Sequence, residues 1–212
     1  MATEANHDRD QGPSSRPFRP NVFVDSLPTQ SSLISRLKFQ EADAWGNFVD
    51  IYAPLIFQWC RASSLTNEDC ADVTQNVFAK LHRSIGQYDR MAHSRFRSWL
   101  WVVTRNTIRD YCRGQKRDIQ SEGGTEFHRV LKNLPAADEE PTDENWESQL
   151  LDRAMKVVER DVDPKTWRAF WLLTMENHST DSVAQQVSMS KNSVRQAKSR
   201  VLRRLRELLE EH

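Results

Sequence analysis

Glycine is scarce in this chain, six in 212 residues, and alternating β-branched runs are scarcer still. Without such runs there is little to build strands, and with so few glycines there is little to turn them, so the sequence reads as all-α. Cysteine is limited to Cys60, Cys70 and Cys112, and the six histidines are scattered at 7, 82, 93, 128, 178 and 212. No spacing among them makes a zinc site, so no metal and no cofactor is expected. A glycine-rich phosphate loop, a nucleophile elbow and a histidine–carboxylate cluster are also lacking, so no catalytic residue is assigned and an enzyme is not expected. No stretch approaches the roughly 18–20 apolar residues of a membrane span. Residues 1–10 are polar and acidic where a secretory signal would be basic and then apolar. An odd cysteine count without a disulfide framework fits a reducing compartment, so the expected location is cytoplasmic. An excess of charge of either sign is lacking too, at 30 Lys+Arg against 30 Asp+Glu. That zero is a sum, and the positions of the charges decide what it means.

Along the chain, residues 1–28 hold Pro13, Pro17, Pro20 and Pro28 among polar residues, a composition expected to form a flexible leader. Helical spacing begins with Leu33, Ile34 and Leu37 and continues through Ala44, Trp45, Phe48, Val49 and Tyr52. Pro54 reads as the N1 residue of a new short helix bearing Leu55, Ile56, Trp59 and Cys60. Thr66 and Asp69 resemble a capping box opening a helix with Cys70, Val73, Val77, Phe78 and Leu81 on one face, expected to end with Gly86 in a left-handed C′ conformation. Ser94 is a candidate N-cap for a helix carrying Phe96, Trp99, Leu100, Val103, Thr107 and Tyr111, with Gly114 as its stop. Residues 115–142 show little periodicity and read as a flexible linker. Helical patterning returns at Trp146, and Asp163-Pro164 supply a cap and an N1 proline for a helix with Trp167, Phe170 and Trp171.

The charge is strongly segregated. From Arg95 to Arg117 seven bases face one acid, Asp110, whereas Ala136 to Asp152 holds seven acids and no base. Steps of four place Arg97, Trp101, Arg105, Arg109 and Arg113 on a winding stripe opposite the Phe96/Leu100 face. Two readings are open. The stripe is a solvated face with Trp101 tucked into an interface, or it is a nucleic-acid surface in which forked guanidinium donors meet phosphates and a flat ring meets a base. Among the tryptophans Trp101 is the one expected to be exposed, and Trp99, Trp167 and Trp171 are expected in the core. The acidic block could occupy a basic face within the same molecule.

A second basic run, Lys191 to Arg206, has seven bases and no acid on a helix whose inner face is Val194, Ala197, Val201, Leu202 and Leu205. A short helix over 181–187 precedes it across Ser188-Met189-Ser190, in the form of a helix-turn-helix. Ser190 would cap the second helix, projecting Lys191, Asn192, Ser193, Arg195, Gln196 and Ser199 toward base edges, with Lys198 and Arg200 better placed for phosphates. The usual turn glycine is absent, with Ser188 near its place.

Taken together, these segments resemble bacterial RNA polymerase sigma factors of the extracytoplasmic-function (ECF) type. Asp72, Gln75 and Phe78 stand as the Asp-x-x-Gln-x-x-Phe of that family's core-polymerase-binding helix. Phe96-Arg97-Ser98-Trp99-Leu100, with Thr104-Arg105-Asn106, resembles the helix that engages the minus-ten promoter element. Ser182 to Leu205 resembles the domain that reads the minus-thirty-five element, with Asn192-Ser193 where Gly-Thr is frequent. The resemblance implies two small helical domains: a region 2-like unit at 29–114 and a region 4-like unit at 143–212, joined by the 115–142 linker. It implies binding of core polymerase by Asp72, Gln75, Asn76, Phe78 and Ala79. The minus-ten contacts would come from Tyr88, Arg97, Trp101, Arg105, Asn106, Arg109 and Arg113. The minus-thirty-five contacts would come from Ser190 to Ser193, Arg195, Gln196 and Lys198 to Arg200. Promoter DNA, core RNA polymerase and an anti-sigma protein are the partners it admits. The alternative is a stand-alone helix-turn-helix regulator, which leaves the polar set on Asp72, Gln75 and Asn76 without a role.

Overall fold

A computed structural model of the chain describes residues 32–89, 95–118, 124–139, 141 and 145–209. The proposed leader, His93, Ser94 and part of the acidic block lie outside the described residues. Among the described residues there is no strand. The helices are α1 (Leu33–Lys38), α2 (Ala42–Ala62), α3 (Asn67–Ser84), α4 (Phe96–Asp118), α5 (Gly124–Asn133), α6 (Trp146–Asp161), α7 (Pro164–Thr174), α8 (Thr180–Gln186) and α9 (Lys191–Leu209). No helix in the described residues is long and apolar enough to cross a membrane.

Local chemistry accounts for several of the boundaries. Thr66 Oγ1 accepts the Asp69 amide at 3.1 Å, the N-cap half of a capping box, and donates to the Asp69 carboxylate at 2.6 Å in place of the reciprocal bond to the Thr66 amide. Asp163 Oδ1 accepts the amides of Lys165 and Thr166 at 2.9 and 3.3 Å, so α7 starts on an Asp-Pro pair. Ser190 Oγ accepts the Ser193 amide at 3.0 Å and opens α9.

Other boundaries depart from the sequence expectation. Pro54 lies inside α2 rather than starting a new helix. Its missing N–H costs up to about 3 kcal/mol, but its φ suits a helix, and burial of Tyr52, Leu55, Ile56 and Trp59 across the site stabilises each side chain by roughly 1.5–3 kcal/mol. Val49, expected inside, faces solvent. Gly86 takes no left-handed conformation; α3 passes into a 3-10 turn over Ile85–Gln87, which carries both Ile85 and Tyr88 into the core. Gly114 does not stop α4. Tyr111 donates to Asp69 Oδ1 at 2.6 Å, and Gln115 donates to the Tyr111 oxygen at 3.2 Å, bracing the helix on both sides of the glycine against a propensity cost of about 1 kcal/mol. The linker range likewise holds the end of α4 and all of α5, whose Val130 is buried.

Two cores result. The larger gathers α1 to α4 and runs without a break into α6 and α9, through Leu150, Ala154, Val157, Val158, Val201, Leu205 and Leu208. The smaller belongs to α7, α8 and the start of α9: Ala169, Leu172, Val183, Val187, Val194 and Ala197. Along the edge of the larger core, Gln58 donates to Gln149 at 3.0 Å, and Arg160 reaches both Asp50 and Asn47, at 2.9 and 3.0 Å. The three cysteines are free and buried. Burial first, and the neighbouring Cys70 second, push the Cys60 thiol well above its ordinary range.

Two outcomes follow from this packing. The Tyr111 phenol is pushed up to about 12, first by burial and then by its bond to the Asp69 carboxylate. A raised folded-state value means its contribution is complete below the ordinary phenol range near 10 and is lost as pH climbs through about 12. Tyr111→Phe should lower stability by about 1 kcal/mol at neutral pH in urea melts, and should flatten the alkaline decline. Ser188 holds φ of 53° in the turn between α8 and α9, where glycine would be unstrained. Ser188→Gly should raise stability by up to about 1 kcal/mol, read as a higher Tm with unchanged helix content.

Candidate nucleic-acid and partner interfaces

The exposed face of α3 is polar. Asp72, Gln75, Asn76 and Ala79 all face solvent, while Val73, Val77 and Leu81 line the core behind them. Phe78 sits at the margin, half-buried, with its ring edge-on to Phe48 at 5.8 Å. Val77 and Phe78 are adjacent and cannot both point straight inward; Val77 takes the core and Phe78 the rim. Lys80 pairs with Asp110 of α4 at 2.6 Å, fixing this face relative to the basic helix.

The α4 stripe divides into two parts. Arg113 and Asn106 are exposed and Arg109 is half-exposed, in keeping with a surface open to a ligand. The first part is covered. Trp101, expected to be exposed, has no accessible surface. Its ring meets Trp59 of α2 edge-on at 5.5 Å, and its indole N–H donates to the carbonyl of Ala136 at 3.1 Å. Arg97 is only 7% exposed. Its guanidinium lies 3.9 Å from the centre of the Trp146 ring and 5.8 Å from that of Trp59, and it donates to the Pro141 carbonyl at 3.2 Å. Arg105 Nε donates to the Pro135 carbonyl at 2.6 Å. Helical periodicity places these side chains opposite the Phe96/Leu100 face correctly, but it cannot register that α6, residues 134–139 and Pro141 lie across them.

Tyr88 is also inside, 3% exposed, packed edge-on to Phe96 at 5.3 Å and tilted against Trp99 at 5.1 Å. Lys38 donates to the Tyr88 carbonyl at 2.7 Å and lies over its ring. Beside Arg97 a cavity of about 350 Å³ opens between Arg95, Ser98, Trp146, Glu147 and Leu150.

The helix-turn-helix is formed as its spacing implies. Val183 and Val187 of the first limb and Val194, Ala197 and Val201 of α9 are buried. Asn192, Arg195, Gln196, Lys198, Ser199 and Arg200 face solvent from the first half of α9, together with Lys191, which pairs with Asp181 at 2.8 Å. Ser190 and Ser193 share a 2.8 Å hydroxyl bond at the cap. Arg204 turns inward instead and meets Asp161 of α6 at 3.0 Å. Trp167 and Trp171, expected in the core, are half-buried on one wall of a groove of about 470 Å³ between α6, α7 and α9.

Sequence reasoning missed Trp59 and Trp146 as partners of Arg97, and the carbonyls of Pro135, Ala136 and Pro141 as acceptors. Trp146 does stand out as a tryptophan just after the acidic block, but nothing local links it to a residue almost fifty positions earlier. No cluster of three or more potential metal ligands occurs among the described residues.

Comparison with known proteins is consistent with this geometry. Residues 48–118, from within α2 to the end of α4, match the Sigma-70 region 2 family. The ECF RNA polymerase sigma factor BldN of Streptomyces coelicolor is 22% identical over 191 residues, 90% of this chain and 69% of that protein. The ECF RNA polymerase sigma factor SigW of Bacillus subtilis is 26% identical over 105 residues, 46% of this chain and 55% of that protein. The matched segment carries the polar α3 face and the basic α4 stripe together, so the chain contains a sigma-70 region 2 domain and is a relative of the ECF-type sigma factors.

Proposed function

We propose that this protein is a sigma factor: it binds core RNA polymerase and directs it to promoters for transcription initiation, acting by binding alone and without covalent chemistry. The observation that carries the reading is the α3 face, where Asp72, Gln75, Asn76 and Ala79 are exposed together within the matched region 2 segment, with Phe78 at their margin. Such a face suits a helical partner, with the aromatic as anchor and the polar side chains satisfied across the contact. Region 2-like residues 29–114 would hold the minus-ten element and stabilise its melted strand through Asn106, Arg109 and Arg113 on the open part of α4, with Arg97, Trp101 and Arg105 reached only once the segment lying over them is displaced. Unstacking a base costs a few kcal/mol, which stacking and charge-assisted bonds must offset. Region 4-like residues 143–212 would place α9 in the major groove of the minus-thirty-five element, with Asn192, Arg195 and Gln196 at base edges and Lys198 and Arg200 at phosphates.

The decisive assay is run-off transcription with sigma-free core polymerase. Asp72→Ala/Gln75→Ala should reduce promoter-dependent transcript by about tenfold or more while leaving the melt within about 0.5 kcal/mol, because both residues are exposed. Wild-type protein that gives no transcript on a genomic promoter pool and does not co-migrate with core would favour the stand-alone regulator. On α9, Arg195→Ala should cost about 1–3 kcal/mol on the preferred sequence and relax discrimination, whereas Lys198→Ala should weaken all duplexes alike and lower the salt slope by about one. Binding titrations at several salt concentrations separate the two.

A further inference from the structure

Three side chains on the covered part of α4, Arg97, Trp101 and Arg105, present only donors: two guanidinium groups and an indole N–H. Each donates to a backbone carbonyl from one short stretch, those of Pro141, Ala136 and Pro135 in turn. Two of the three acceptors are proline carbonyls, whose residues bring no N–H of their own, and the third, Ala136, also accepts the Glu139 amide at 3.2 Å. Trp146 completes the match with its ring facing the Arg97 guanidinium, 3.9 Å from the ring centre, a cation–π contact of the kind an unstacked base can also make.

We propose that residues 134–139, with Pro141 and Trp146, are an internal occupant of the α4 nucleic-acid face, bound there in competition with single-stranded DNA. The proposal rests on the reading of α4 as that face. With Trp101 inaccessible and Arg97 nearly so, a strand gains them only by displacing the occupant and swinging α6 off α2. Within the described stretch the donors meet carbonyls, and the carboxylates of Asp138 and Glu139 stay exposed. A neutral carbonyl is a weaker partner for a guanidinium than a phosphate is, so the exchange runs toward DNA once the seam between α2 and α6 is open. Asn106 and Arg113 lie on the uncovered part and give an approaching strand its first contacts.

The seam supplies a test outside both proposed binding faces. Gln58, exposed, and Gln149, half-buried, meet across it in a bond open to solvent, so Gln58→Cys/Gln149→Cys can be joined with a short bismaleimide while the native cysteines are buried. The probe is a fluorescein-labelled oligothymidine strand, and α9 is silenced by Arg195→Ala, Lys198→Ala and Arg203→Ala. The bridged protein should bind about tenfold more weakly than the same protein unbridged, and Trp146→Ala should bind several-fold more tightly than its parent, as expected when the competent form is a minor population. Circular dichroism checks that Trp146→Ala is folded, and a gain in acrylamide quenching that is lost on adding Trp101→Phe to Trp146→Ala reports that Trp101 has become accessible. Equal affinity for bridged and unbridged protein overturns the internal occupant while the nucleic-acid face stands. No binding by any form, Trp146→Ala included, overturns the face itself and the occupant with it.

Discussion

A buried guanidinium that faces two indoles ties the parts of this structure to one another. Arg97 sits on α4, Trp59 on α2 and Trp146 at the start of α6, so one side chain joins three helices from both halves of the chain. Removing such a group from water costs several kcal/mol unless its surroundings replace the lost solvation. The replacement includes two π faces and the Pro141 carbonyl, which exist together only when α6 and Pro141 are seated. Arg97 therefore links the burial of Trp101, the seating of Arg105 and the placement of Trp146 at the start of α6.

That linkage marks the boundary of what the sequence could reveal. The helices, their inner faces and the caps at Thr66, Asp163 and Ser190 were legible because each depends on residues within one or two turns. The helix-turn-helix was legible for the same reason, even with Ser188 in the strained position that glycine usually fills. The misread positions share an opposite cause. Pro54, Gly86 and Gly114 are breakers by local propensity, and each is overridden by burial or by a bond from a neighbouring element, such as Tyr111 to Asp69. Trp101 was misread because a basic stripe looks solvent-facing until something else in the chain is known to lie on it.

The candidate site shows the same division. The exposed set on α3 and the first half of α9 could be read from periodicity alone, since a polar residue opposite a core face has one natural direction. The covered half of α4 could not, because its partners are main-chain carbonyls. Every residue except its neighbours' sterics offers the same carbonyl, so no side-chain pattern announces such an acceptor.

The larger core has the construction of a contact made to be broken. Its centre between the halves is a narrow band of aliphatic side chains, and its margin is amide and ion pairs such as Gln58 with Gln149 and Arg160 with Asp50. Domain contacts of that composition are typical of parts that come apart in use. A greasier edge would weld the halves, and a more highly charged one would leave them permanently ajar, so the wettability of a few positions tunes how long the molecule stays shut.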